Sequence, residues 1–132
     1  MDHMKSAIKK LVESLDPEFI LLFGSHARST ARETSDYDIA YYPTKHIAPF
    51  NRLILKSQLS ELLGAEADLV DLKTIDTVFA AQVYYDGECI YAKNEDLYHK
   101  EKIKSLAMYV DLNEMRMNIL KDVEQRGRIY EE

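Results

Sequence analysis

A single cysteine, Cys89, in 132 residues leaves nothing for an internal disulfide or a cysteine-rich zinc site. Tryptophan is absent, and only three prolines and four glycines punctuate the chain, so no repetitive or linker-like tract is built from them. The longest apolar run, Phe19 to Phe23, is far too short to span a bilayer. The opening Met1-Asp-His-Met-Lys has no apolar stretch behind its charges, so no signal peptide is expected. A cytoplasmic protein without a membrane partner is the expectation. Basic residues are also in deficit, 17 Lys and Arg against 23 Asp and Glu, for a net charge of −6. Phosphate backbones are held by clustered Lys and Arg, so direct nucleic-acid binding is not expected. A single triphosphate stays open as a ligand, because bound metal ions can neutralise it.

What is present fits one soluble domain: 46% hydrophobic and 30% charged residues in a length that supports one core. Ile8, Leu11, Val12 and Leu15 recur at the spacing of an amphipathic helix that stops at Asp16-Pro17. Phe19–Phe23 reads as a buried strand, and the alternating Asp36–Tyr42 as a second. The polar segment His26–Ser35 between them has room for one helical turn. Pro49 opens a helix whose apolar side is drawn from Phe50, Leu53, Ile54, Leu55, Leu59, Leu62 and Leu63, with Gly64 as its stop. Ala67–Leu72 reads as a third strand, Asp76–Tyr85 as a helix, and Glu88–Tyr91 as a fourth strand after an Asp86-Gly87 turn. From about Glu95 to Gln125 nothing interrupts a helical rhythm, in one long helix or two packed ones. The expected class is α+β (α/β-like), a small mixed sheet packed with helices. It forms one domain over residues 1–132, with a core at about 19–91 and a helical segment at about 95–125.

The chemistry concentrates between Gly24 and Asp38. On a strand, Asp36 and Asp38 face the same way with Cα atoms roughly 6.5–7 Å apart. Two like charges held so close repel unless a cation sits between them. Mg²⁺ takes hard oxygen ligands and completes its shell with water and phosphates. Asp is disfavoured within strands, so the pair is more than surface decoration. Gly24 lets the backbone approach a ligand, successive amides there cup phosphate oxygens, and Ser25 adds a hydroxyl donor. A helix starting near His26 would aim its positive end at the same place. A third carboxylate comes from Asp68 or Asp71, which lie on opposite faces of their strand; periodicity does not choose between them.

Gly24-Ser25, ten residues, then Asp36-Tyr37-Asp38 resembles the signature of the DNA polymerase β-like nucleotidyltransferase superfamily. Ala67-Asp68-Leu69-Val70-Asp71-Leu72 is similar to that family's third-aspartate strand, whose first Asp is the metal ligand, which favours Asp68. The short chain and the Thr77–Val83 segment resemble the minimal nucleotidyltransferase (MNT) antitoxins, with the likeness running from about Phe19 to Tyr91. The resemblance implies two Mg²⁺ ions, ATP as substrate, and Asp36, Asp38 and Asp68 as catalytic and metal-binding residues. It further implies AMP transfer onto a tyrosine of a partner HEPN-type RNase toxin, which inactivates it. Nucleotide transfer to a small molecule such as an antibiotic, and a binding-only antitoxin acting by occlusion, remain alternatives. Ser29 departs from the Gly that many relatives carry there.

Other residues carry weaker signals. Arg28, between the phosphate turn and the aspartates, is a candidate phosphate ligand, whereas Arg32 reads as a surface charge. His26 reads as a loop residue, and His46 and His99 lack partners at metal spacing. Nine tyrosines suit a partner-facing surface or sheet packing equally. The C-terminal segment, with Met108, Met115 and Met117, is expected to contribute to homo- or hetero-oligomer contact.

Overall fold

The computed structural model describes residues 2–27 and 35–131, with side chains of 3–27 and 35–125. Helix α1 (Asp2–Leu15) buries Ala7, Leu11 and Leu15, a stripe at four-residue spacing. It ends where Asp16 takes φ +43 and Pro17 removes the next amide donor. Strand β1 (Phe19–Phe23) follows and is apolar throughout because both its faces are covered. Ile20 and Leu22 point into one core and Phe19 and Leu21 into another.

Strand β2 (Tyr37–Tyr41) runs antiparallel to β1, and β3 (Ala67–Asp71) runs parallel to β2. Strand β4 (Glu88–Ala92) pairs antiparallel with the other edge of β1, giving the order β3-β2-β1-β4. The mixed sheet matches the expectation from sequence. The second strand starts one residue later than its alternation suggests, which leaves Asp36 just ahead of it and exposed.

Helix α2 (Pro49–Leu63) carries Pro at its first turn and ends on Gly64 at φ 71, whose N–H bonds the Ser60 carbonyl. Its apolar side is narrower than its composition suggests: only Leu55, Leu59 and Leu63 are buried, while Phe50 is 70% and Leu53 63% exposed. A helix lying on a sheet presents one stripe to it, so residues off the four-residue spacing turn outward. Helix α3 (Thr77–Asp86) is capped by Asp76, which accepts from the Phe79 N–H at 2.8 Å. Helices α1 and α2 close one face of the sheet.

Helix α4 (Glu95–Glu131) is one continuous helix of 37 residues. Asn94 accepts from the Leu97 N–H at its start, and Glu95 and Asp96 suit its positive end. Together α3 and the first turns of α4 cover the second face, through Val83, Tyr84 and Tyr98. Farther along, Met115, Ile119, Leu120 and Val123 are exposed. No helix among the described residues is long and apolar enough to cross a membrane.

Two adjacent tyrosines fare differently. Tyr42 stacks on Phe19, and its hydroxyl donates to Glu101 of α4 at 2.8 Å. The Tyr41 hydroxyl is buried and, among the described residues, has no hydrogen-bond partner. Burial first, and then the Glu101 carboxylate, push the Tyr42 phenol up from 10.0 to about 12.

Leu59→Ala is expected to cost about 2–5 kcal/mol in urea denaturation, whereas Leu53→Ala stays within about 0.5 kcal/mol, if burial rather than composition decides. Tyr42→Phe is expected to cost about 0.5–1.5 kcal/mol and Tyr41→Phe to be neutral or stabilising. A folded-state value above 10.0 makes the Tyr42 contribution complete below pH 10.0 and lost as the pH climbs through 12. The gap in urea midpoint between wild type and Tyr42→Phe should therefore close over that interval.

Candidate active site

The site grows from strand register. Phe23 at the end of β1 stands opposite Asp38 of β2, and Asp38 stands beside Asp68 of β3. The three residues form one rung across adjacent strands, so their side chains leave the same face of the sheet. Asp38 alternates with buried Ala40, and Asp68 with Val70 and Leu72, all of which belong to the core beneath α3 and α4. Neighbouring strands lie about 4.8 Å apart, which brings the two carboxylates within mutual Coulomb reach.

Asp71 falls elsewhere. It pairs in register with Tyr41, which belongs to the opposite core. Its carboxylate accepts from the Lys73 N–H at 2.8 Å and closes the turn after β3. Geometry thus groups Asp68, not Asp71, with Asp38.

Gly24 leaves β1 at φ +75, a conformation that favours glycine. A Cβ placed there would lie 2.2 Å from the Asp38 carboxylate oxygen, so only a bare backbone fits against that carboxylate. Gly24, Ser25, His26 and Ala27 form a turn at the end of β1. The His26 ring stacks on Tyr37 at 3.7 Å, nearly parallel, and its Nε2 lies 3.0 Å from the Ser35 carbonyl oxygen. His26 therefore pins the turn to the entry of β2, a structural part that its place in a polar loop does not advertise. Arg28, Ser29 and Arg32 lie outside the described residues, as does most of the expected helical turn.

Two cations on α2 complete the site, and sequence reasoning missed both. Arg52 donates to the main-chain carbonyl of Leu69 on the edge strand β3. One turn on, Lys56 Nζ sits 3.1 Å from Asp68 Oδ1. Their four-residue spacing puts both on one helix face, the signal that marks them in retrospect. Phe23 and Phe79 meet edge to face at 6.0 Å and wall the other side of the cleft. That cleft, of about 430 Å³, is slightly smaller than a hollow of about 460 Å³ between α3 and α4. Size does not select the site; the carboxylate rung does.

Asp38 and Asp68 offer hard oxygen donors on one face, beside a glycine turn, and Asp36 lies two residues before Asp38. That donor set suits Mg²⁺. Among the described residues, no three His, Cys, Asp or Glu side chains are gathered closely enough to hold a metal ion. The positive charge against Asp68 is the Lys56 ammonium.

The chain belongs to the polymerase beta nucleotidyltransferase family, whose pattern matches residues 5–96. It is 32% identical over 108 residues to the protein adenylyltransferase MntA of Shewanella oneidensis, across 80% of this chain and 76% of that protein. It resembles a chain in a crystal structure of a toxin–antitoxin with AMP-PNP, with a TM-score of 0.78 and 31% identity over 93% of this chain and 98% of that one. A structure of the tri-AMPylated Shewanella oneidensis HEPN toxin in complex with MNT antitoxin matches with a TM-score of 0.72 and 29% identity. That match covers 92% of this chain and 95% of that one.

Gly24→Ala is expected to displace the Asp38 carboxylate and force alanine into a left-handed conformation, costing about 1–2 kcal/mol of stability. Nucleotide transfer should fall about 10²-fold, since a displacement of about 1 Å costs that much. Thermal denaturation and a transfer assay on the same sample separate the two effects.

Proposed function

We propose that this protein is a Mg²⁺-dependent protein adenylyltransferase that moves AMP from ATP onto a tyrosine of a HEPN-type RNase toxin, and so neutralises it. The observation that carries the reading is the rung that sets Asp38 and Asp68 side by side, against a turn where only glycine fits. The similarity to MntA, and to structures holding AMP-PNP or an AMPylated toxin, supports the substrate and partner. With ATP as donor, the reaction belongs in the cytoplasm. Residues 1–132 act as one nucleotidyltransferase unit, with a core at about 19–91 and α4 available for contact with the toxin.

In this mechanism Asp38 and Asp68, with Asp36 two residues before Asp38, would hold the metal ions together with the triphosphate oxygens. Bound Mg²⁺ would neutralise the triphosphate and polarise the α-phosphate. Gly24 and Ser25 present main-chain and hydroxyl donors to phosphate oxygens at the end of β1, and Arg28 adds a cation. Asp68 accepts the proton of the acceptor tyrosine as its oxygen attacks the α-phosphorus. The new tyrosyl O–P bond forms as the bond to the β-phosphate oxygen breaks, and pyrophosphate leaves. The added phosphodiester brings negative charge to the toxin where RNA phosphates would otherwise sit.

A second reading, neutralisation by occlusion alone, is favoured by the exposed apolar residues along α4. Incubation with labelled ATP, Mg²⁺ and the toxin separates the two. Label should pass to the toxin and fall about 10²- to 10³-fold in Asp38→Asn, the scale of losing several kcal/mol of charge stabilisation. Asp71→Asn should label normally. Neutralisation of the toxin that persists in full in Asp38→Asn without label would overturn catalysis and leave occlusion.

A further inference from the structure

Lys56 has no place in the proposed chemistry, yet its Nζ lies 3.1 Å from Asp68 Oδ1. Its position is set from two sides. Leu55 and Leu59, its neighbours on α2, are buried in the core against the sheet. Arg52, one turn earlier, ties the same helix to the Leu69 carbonyl, next in sequence to Asp68. The lysine stem therefore emerges where its ammonium reaches over the edge strand to this carboxylate.

The charge balance explains why a cation belongs there. Asp38 and Asp68 are adjacent like charges in one rung, an arrangement that is destabilising unless compensated. A divalent ion at Asp68 would bring a second positive charge to a carboxylate whose Oδ1 already lies 3.1 Å from the Lys56 ammonium, and the two like charges repel. The two cations thus compete for one carboxylate. Lysine suits the part of a removable occupant, being a point charge on a flexible four-carbon stem rather than a rigid fork. The pair is also open to water, with Lys56 and Asp68 side chains 37% and 47% exposed, so the hold is weak enough to be broken.

We propose that Lys56 is an internal counter-ion that occupies Asp68 in the metal-free protein and yields it when a divalent cation arrives. It thereby sets the metal concentration at which the site loads. The inference rests on the metal-dependent reading above. Lys56 acts as a positioning residue, through Asp68, and not on the reacting atoms.

The test is Mn²⁺ binding to the full chain without nucleotide, read by the loss of free-Mn²⁺ paramagnetic resonance signal. Exposed pairs are worth about 0.2–1 kcal/mol, so Lys56→Met, which keeps the stem and drops the charge, should bind Mn²⁺ about 1.5- to 5-fold more tightly. Lys56→Arg, which keeps the charge, should stay near wild type. The gain should vanish when Asp68→Asn is added to Lys56→Met. Circular dichroism melting of each variant establishes that it is folded. Binding to folded Lys56→Met that is equal to or weaker than wild type overturns the counter-ion role alone. Absence of Mn²⁺ binding from wild type and both Lys56 variants overturns this inference and leaves the metal-dependent reading to the labelled-ATP assay, because a bound triphosphate supplies further metal ligands.

Discussion

The register between β1, β2 and β3 is the constraint on which the carboxylate end of this protein depends. Each strand is five residues long, and a shift of one residue would turn every side chain to the other face. Asp38 would then enter the core beneath α1 and α2, and Ile39 would leave it. Burial of Ile39, Tyr41, Ala67 and Leu69 in that core thus enforces the placement of Asp38 and Asp68 on the opposite side. The site inherits its precision from apolar packing that never touches a substrate.

The helices extend the same logic. α2 packs its leucine stripe against one face, yet because β3 is an edge strand, Arg52 and Lys56 reach past that edge toward the carboxylate side. α3 supplies Phe79 against Phe23, and the pair walls one side of the cleft. Tyr42 links the far end of β2 to α4 through Glu101. A charged site is costly to assemble in a small domain, and here it sits at the open end of the sheet, where water and a bound cation can offset repulsion.

Helix α4 follows a different rule. Its first turns seal the second core through Tyr98, while its later turns keep apolar residues in solvent. A helix of 37 residues extends about 55 Å, beyond what a four-stranded sheet can cover. Exposed Met and Ile on the unsupported part suit a surface that adapts to a partner.

Local pattern alone determined much of the protein. The continuous apolar run Phe19–Phe23, the Pro49 and Gly64 boundaries of α2, and the turn at Gly24 were all legible because strand burial, helix termini and glycine turns write themselves in neighbouring residues. Which leucines of α2 face inward was not legible: seven apolar residues shared the helix, and only contact with the sheet selected three of them. Asp68 and Asp71 were equivalent by alternation, and it took parallel pairing with β2 to set Asp68 beside Asp38 and Asp71 beside Tyr41. The Lys56 contact joins residues twelve apart through the packing of a helix on an edge strand. Such pairings depend on how elements meet in space, and one-dimensional periodicity carries no record of that; only the tertiary structure decides them.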